Sequence, residues 1–405
     1  MSLKKSLFIS YDGLTDPLGQ SQILPYYVGL SKLGHQITIL SCEKVANFEK
    51  NRDLVQAKCL AANIQWHYTF YKANIPVISP SLNTYRLKKK AQMIFRSANF
   101  DLVHCRSIIP ANIGYNLCKN SAAKLIFDIR GFWADERVDG KIWSLSNPIY
   151  RFLYHHFKRK EKILFAKADA IVTLTENAKE YIKTFFETKN NFLVVPCCVD
   201  INHFDPNTIE NEKVKQLKNE LNIPENNFVI TYVGSLGARY MLREMLEFYK
   251  EFKTLKQDSN LLFISKSDTS DIHGICQEID LDSKSIVITS CEYNEIPSYI
   301  SIGNASIFFI VTSFSGKAVS PTKQAEVMSL GLPIVANSGL GDTDSILKST
   351  QCGIVLTDFN KESYRESAKQ LLEFNKPKKE IRAAALELFT SEMGINRYHE
   401  LYKNL

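Results

Sequence analysis

The sequence predicts an α/β protein made of two doubly wound domains, each a parallel sheet covered by helices on both faces. Three observations point there. Strand-length apolar runs alternate with helix-length amphipathic runs from end to end. The strand runs are continuously hydrophobic, which marks parallel strands buried on both faces. The 405-residue chain is too long for one ordinary core and passes through the alternation twice.

In the first series the predicted strands are 7–10, 37–40, 102–104, 125–128, 170–174 and 192–195, with helices at 23–33, 48–62, 83–97 and 150–166. The second series has strands at 228–233, 261–265, 285–289, 305–310, 333–336 and 353–356, again with helices between them. The join is expected between Pro196 and Pro206, giving domains 1–196 and 197–390. Residues 391–405 read as a closing helix carrying Met393, Ile395, Tyr398, Leu401 and Tyr402. Sheets of this kind bind ligands beyond the carboxyl ends of their strands, so two of them facing each other place the site in the cleft between.

Bulk properties exclude several classes. At 45% hydrophobic and 23% charged the chain is globular. No apolar run approaches the ~18–20 residues of a spanning helix. The N-terminus has a short basic start, but its apolar part is strand-length and runs into Tyr11-Asp12-Gly13 without a cleavage signature, so a cytoplasmic protein is expected. Nine scattered cysteines with no C-x-x-C pair suggest neither a disulfide framework nor a zinc site. A net charge of +7 permits contact with a phosphate-bearing substrate or the inner face of a membrane. Basic residues are spread without a recognisable nucleic-acid module, so no nucleic-acid partner is expected.

The densest chemistry lies in Val319 to Ala336. Ser320 is a suitable N-cap, and Pro321 fits the first helical position. The free amides of that first turn, with the helix dipole, attract phosphate oxygens. Thr322 and Lys323 add a hydroxyl and a charge. Glu326 shares a face with Thr322, and the rise from Pro321 is roughly 7.5 Å, about the span from a diphosphate to a ribose in one nucleotide. A capped helix with a solvated Glu326 fits the same residues.

With these motifs in hand, the whole chain resembles the retaining, GT-B-fold glycosyltransferases of family four. Gly13 to Gln22 and Leu30 to Leu40 look like that family's first glycine loop, helix and second strand. Tyr232-Val233-Gly234-Ser235-Leu236-Gly237 looks like the first strand and phosphate loop of its donor domain. Phe127 to Arg137 resembles a segment of a bacterial branch that works on surface polysaccharides. The resemblance implies a nucleotide-sugar donor (UDP- or GDP-linked) on the second domain. It also implies a saccharide or lipid-linked acceptor on the first, and no metal. Two departures stand out: Ala318 occupies the place of the family's first glutamate, and Arg130 aligns where a histidine often sits.

Departure of a nucleoside diphosphate gathers negative charge on its phosphates, which fixed cations and amide dipoles must meet. Gly234, Ser235 and Gly237 let the backbone approach the diphosphate. Arg239, Arg243 and Lys323 are the candidate counter-charges, and Lys266 matches a position where the family often places a base. Glu326 is read as the ribose ligand. Gly19 either approaches a ligand or makes a tight turn. Asp128, Arg130, Asp135 and Glu136 follow a strand end, where one of them can orient the acceptor hydroxyl or take its proton. Arg130 can also hold an anion bidentately. His104 and Arg106 follow the 102–103 strand and are placed on the acceptor side, with a buried, satisfied histidine the other reading of His104. Asp342-Thr343-Asp344 is read as helix capping rather than a metal triplet. The basic amphipathic stretch 150–166 suits either a membrane surface or ordinary packing. The rival readings are an epimerase on the same fold and a non-catalytic nucleotide binder. A dinucleotide-dependent dehydrogenase is disfavoured, because the first loop lacks G-x-G-x-x-G spacing.

Overall fold

The computed structural model describes residues 3–72, 78–188, 191–237 and 239–405. It forms two compact units, Met1–Cys198 with Ser391–Leu405, and Val199–Thr390. Among the described residues no helix is long and apolar enough to cross a membrane.

The first unit is built on seven strands: β1 (Lys5–Ser10), β2 (Gln36–Glu43), β3 (Gln65–Phe70), β4 (Leu102–Arg106), β5 (Lys124–Asp128), β6 (Ala170–Thr173) and β7 (Phe192–Val194). They lie in the order β3-β2-β1-β4-β5-β6-β7, and every pairing is parallel. All five residues of β4 are buried, as a strand covered on both faces requires. The hydrophobic pattern misses β3. Its residues, Gln65-Trp66-His67-Tyr68-Thr69-Phe70, sit at the sheet edge, where only Trp66 is fully buried. Polar residues alternate with aromatic ones along it, so it carries no continuous apolar run, unlike β7 at the opposite edge.

The second unit has six strands: β8 (Phe228–Val233), β9 (Ser259–Ile264), β10 (Ile286–Thr289), β11 (Ala305–Phe308), β12 (Ile334–Asn337) and β13 (Gly353–Leu356). Their order is β10-β9-β8-β11-β12-β13, again parallel throughout. Strand order reverses between β1 and β4 in one sheet and between β8 and β11 in the other. Loops diverge at such a point and leave a crevice at the carboxyl ends of the strands.

The last helix, Ser391–Asn404, packs within the first unit on the helix Leu24–Lys32. A Cβ on Gly29 would lie 2.4 Å from Ile395 Cδ1, so a glycine lets the two helices close up. The rings of Tyr26 and Tyr398 then meet edge to face, 5.5 Å apart.

Candidate functional site

In the second unit the chain leaves β8 at Gly234, whose φ of +120° only glycine adopts freely. A Cβ there would stand 3.2 Å from Lys323 Nζ. Lys323 belongs to the helix Thr322–Ser329 and is 7% exposed. Its ammonium lies 4.2 Å from the ring centre of Tyr232, 4.1 Å from Tyr240 and 5.9 Å from Phe308. Nζ has no hydrogen-bond partner among the described residues. Burial lowers the Lys323 pKa to about 7, with Glu326 pulling it back up. Glu326, less than one turn further on, is only partly covered, yet burial still raises its carboxyl to about 7, with Lys323 opposing. A desolvated cation short of an anion is high in energy, and aromatic faces offset only part of that. The arrangement is therefore suited to receive an anion over Gly234.

The helix start differs from expectation by one residue. Pro321, not Ser320, is the N-cap, with φ −68° and ψ 119°. A residue preceding proline is pushed towards extended backbone, so Ser320 stays outside the helix. Thr322 opens the helix, and Gln324 N–H reaches back to the Pro321 carbonyl at 3.1 Å. The amides of Thr322 and Lys323 precede the first intrahelical bond.

The remaining donor-side candidates separate. The Ser235 carbonyl accepts from the Tyr232 hydroxyl. A Cβ on Gly237 would meet nothing within 4 Å, so no steric demand explains a glycine there. Arg239 precedes the caging Tyr240 and is 3.5 Å through Nη2 from Ser315 Oγ. Two predicted counter-charges are engaged elsewhere. Arg243 is paired with Glu278, and Lys266 Nζ lies 2.7 Å from Glu292 Oε1 on the exposed surface. Ala318 is buried in the turn Ser315–Ala318, so the place of the family's first glutamate is apolar here. Asp344 accepts from Gly339 N–H at 3.3 Å, a contact to the preceding loop rather than the expected helix cap. No group of three potential metal-ligating side chains is found among the described residues.

In the first unit the carboxyl ends of β4 and β5 carry a buried polar network. His104 Nδ1 lies 3.0 Å from the Tyr27 hydroxyl and 2.9 Å from that of Tyr402. Its Nε2 faces Asp128 Oδ2 at 3.7 Å, and the Tyr398 hydroxyl donates to that same oxygen at 3.0 Å. Burial lowers the His104 pKa, so the ring is neutral near pH 7. For Asp128 burial pushes upward, but Arg130 and His104 outweigh it and hold the carboxyl below its ordinary value. With 0% of its side chain exposed, His104 is a core residue rather than the predicted acceptor contact.

Arg106 Nε donates to Asp12 Oδ2 at 3.2 Å, joining the ends of β4 and β1. Arg130 holds a left-handed φ of +54°, and its Nε is 3.8 Å from Asp128 Oδ1. Its side chain is 8% exposed, and Nε and Nη2 have no hydrogen-bond partner among the described residues. Asp135 does not fit the base role. Tyr154 donates to Oδ1 and Lys158 to Oδ2, each at 2.8 Å, tying the helix Trp133–Asp139 to the helix Pro148–Lys167. Glu136 lies over Gly131, where a Cβ would come 2.0 Å from Oε1. Gly19 is required for packing: a Cβ there would sit 2.0 Å from the Gly13 carbonyl oxygen.

Sequence reasoning missed the aromatic groups in both units. Tyr232 and Phe308 lie within apolar strands, and Tyr398 and Tyr402 in a helix. The tyrosines among them give one signal, a hydroxyl that a buried tyrosine must satisfy, and Phe308 gives none.

Residues 27–203 match the family model described as Glycosyltransferase Family 4, and residues 213–387 match Glycosyl transferases group 1. Among solved structures, a glycosyltransferase from Rickettsia africae ESF-5 matches with a TM-score of 0.71 at 15% identity, covering 100% of this chain and 99% of that one. Anabaena HepE in complex with UDP-glucose matches at 0.67 and 12% identity, covering 99% and 100%. The lipopolysaccharide outer core galactosyltransferase WaaB matches at 0.68 and 14%, covering 99% and 100%. At these identities the likeness is one of fold. A search of the curated proteins returns no match.

Proposed function

We propose that this chain, a GT-B glycosyltransferase by its two family matches and its fold, moves a sugar with retention of configuration from a nucleotide sugar to a saccharide or lipid-linked saccharide of a surface polysaccharide. One observation carries the donor half of this reading. The Lys323 ammonium, without a hydrogen bond among the described residues, sits beside Gly234 at the end of β8, with Glu326 three residues further along the same helix. The diphosphate lies over Gly234 against Lys323 and the first-turn amides, and Glu326 accepts the ribose hydroxyls. As the glycosidic bond breaks, charge growing on the leaving phosphate meets a cation already desolvated, which makes the interaction strong. Arg239 is the second counter-charge, and the diphosphate needs no metal. That a solved GT-B relative, HepE, binds UDP-glucose makes a UDP-sugar the first donor to try.

Arg130 is the acceptor-side group of this reading. Its Nε and Nη2 are enclosed beside Asp128 with no hydrogen-bond partner among the described residues, and the guanidinium fork suits a carboxylate or phosphate on the acceptor. The acceptor, a growing polysaccharide or its lipid-linked form, is met at the inner face of the membrane. Calorimetric titration of a UDP-sugar into the wild type and Glu326→Ala tests the donor site. Loss of measurable binding by a variant that melts normally is expected; unchanged affinity refutes the assignment. An epimerase would instead convert the donor with no acceptor present.

A further inference from the structure

The first unit contains a cavity of about 660 Å³ that the donor chemistry does not use. Its walls are aromatic and aliphatic: Trp133, Trp143, Tyr150, Leu153 and Phe157, with Ile113 from the helix after β4. The rings are mutually braced. Trp133 lies 5.4 Å from Trp143 and 4.5 Å from Phe157, and Trp143 stacks with Tyr150. The ionisable lining is one-sided, because Lys88, Arg137, Lys160 and His156 face the cavity with no Asp or Glu among the lining residues. Arg137 is stacked on Trp133, its guanidinium carbon 3.2 Å from the ring centre.

The surroundings are also apolar. On the helix Pro148–Lys167, Tyr150, Leu153, Phe157 and Lys160 line the cavity, and Ile149 and Phe152 lie along the flank of that face, 59% and 68% exposed. The Phe152 ring stacks on His156 at 6.2 Å, continuing the cavity wall outward. Ile142, beside Trp143, is 66% exposed. Exposed apolar residues next to a basic, aromatic-lined cavity suit an amphiphile drawn from a membrane surface. The lining has hydroxyl and amide acceptors at Tyr11, Tyr71, Ser81, Thr84, Asn112 and Asn116 but no carboxylate, so its net charge favours an anionic headgroup over a neutral sugar. Trp133 of the cavity wall stands three residues after Arg130 in the chain.

We propose that this cavity binds the lipid segment of a phosphate-bearing lipid-linked acceptor, the chain lying among Trp133, Trp143 and Leu153 and the phosphate meeting Lys88, Arg137 and Lys160. Calling that lipid an acceptor rests on the glycosyltransferase reading; the binding itself does not. Two of the chain's three tryptophans, Trp133 and Trp143, line the cavity, so tryptophan emission reports its filling. Farnesyl monophosphate, kept below its micelle concentration and without nucleotide sugar, is titrated into the full-length protein. A saturable emission change is expected, with farnesol at least about tenfold weaker. The double variant Lys88→Glu/Lys160→Glu, at surface positions, should lose about tenfold in affinity while melting normally. No saturable change, or equal binding of farnesol and farnesyl monophosphate, overturns the proposal. So does light scattering that shows a dimer dispersed by Phe152→Ser, because a second copy would then cover the cavity. A protein that binds a UDP-sugar but not farnesyl monophosphate leaves the donor assignment standing, and the reverse result leaves this one.

Discussion

Binding of a UDP-sugar should change its proton linkage in sign across pH 7. Lys323 has a pKa of about 7 in the free protein because burial removes water from the ammonium. At pH 8 roughly 0.9 of it is neutral, and a diphosphate selects the charged form, so binding takes up about 0.9 of a proton. Glu326 has a pKa of about 7 for the same reason, acting in the opposite direction. At pH 6 roughly 0.9 of it is protonated, and accepting two ribose hydroxyls favours the carboxylate, so binding releases about 0.9 of a proton. Affinity therefore rises with pH below neutrality and falls above it, by about tenfold per unit once past the first. The two groups titrate as a coupled pair, so the crossing point belongs to the pair. Calorimetry in buffers of contrasting ionisation enthalpy reads the proton count directly. A UDP-sugar is the right probe, having no terminal phosphate that titrates near neutrality. Lys323→Met should abolish the uptake at pH 8, and Glu326→Gln the release at pH 6. Uptake at both pH values, release at both, or no linkage in the wild type would show that these two side chains do not meet the ligand.

The same pair sets a stability signature without donor. Lys323 is depressed in the native state, so the unfolded chain binds more protons between pH 7 and its ordinary 10.5, and stability rises with pH through that window. Glu326 is raised, so the native state binds more protons between 4.5 and 7, and stability falls as pH rises there. Lys323→Met, which removes a desolvated cation, should accordingly raise the melting temperature at pH 7 while donor binding is lost; a lowered melting temperature would contradict the unpaired state of Nζ. Gly234→Ala combines a φ of +120° with a Cβ 3.2 Å from Nζ and should weaken UDP-sugar binding more than tenfold, whereas Gly237→Ala has open space and should leave it within twofold. Equal effects in titration would deny the cradle at Gly234. Gly19→Ala forces a Cβ to within 2.0 Å of the Gly13 carbonyl oxygen and should destabilise the protein by about 1–3 kcal/mol or more, read as a lower urea midpoint at unchanged slope.

The fold was legible because parallel strands buried on both faces leave a continuous apolar run, and twelve of the thirteen strands carry one or lie within one. The exception, β3, alternates polar residues with aromatic ones, which breaks the run. The site was legible only where one residue type at one position carries the chemistry. Lys323 and Glu326 could be put forward together as candidates because they share a helix. What surrounds Lys323 could not, since Tyr232, Tyr240 and Phe308 come from β8, the following loop and β11, far apart in sequence. Charge by itself misled at Arg243, Lys266 and Asp135. A sequence shows a cation or a carboxylate but not the partner that folding supplies, here Glu278, Glu292, and Tyr154 with Lys158.

What sets Lys323 and Arg130 apart is therefore the lack of a complete set of partners. Lys323 is buried with no hydrogen bond, and Arg130 is buried with Nε and Nη2 unmet among the described residues and a backbone φ of +54° that costs about 1 kcal/mol or more. Neither state helps folding: a desolvated cation and a left-handed non-glycine both raise the native energy. Asp135, its side chain also 8% exposed, is engaged by both Tyr154 and Lys158, so the fold supplies partners where a charge serves only structure. Positions where local rules are broken against stability are where a ligand is expected to complete them. On that ground an anion at Lys323 and a second at Arg130 follow from one physical rule, and either can fail its test without the other.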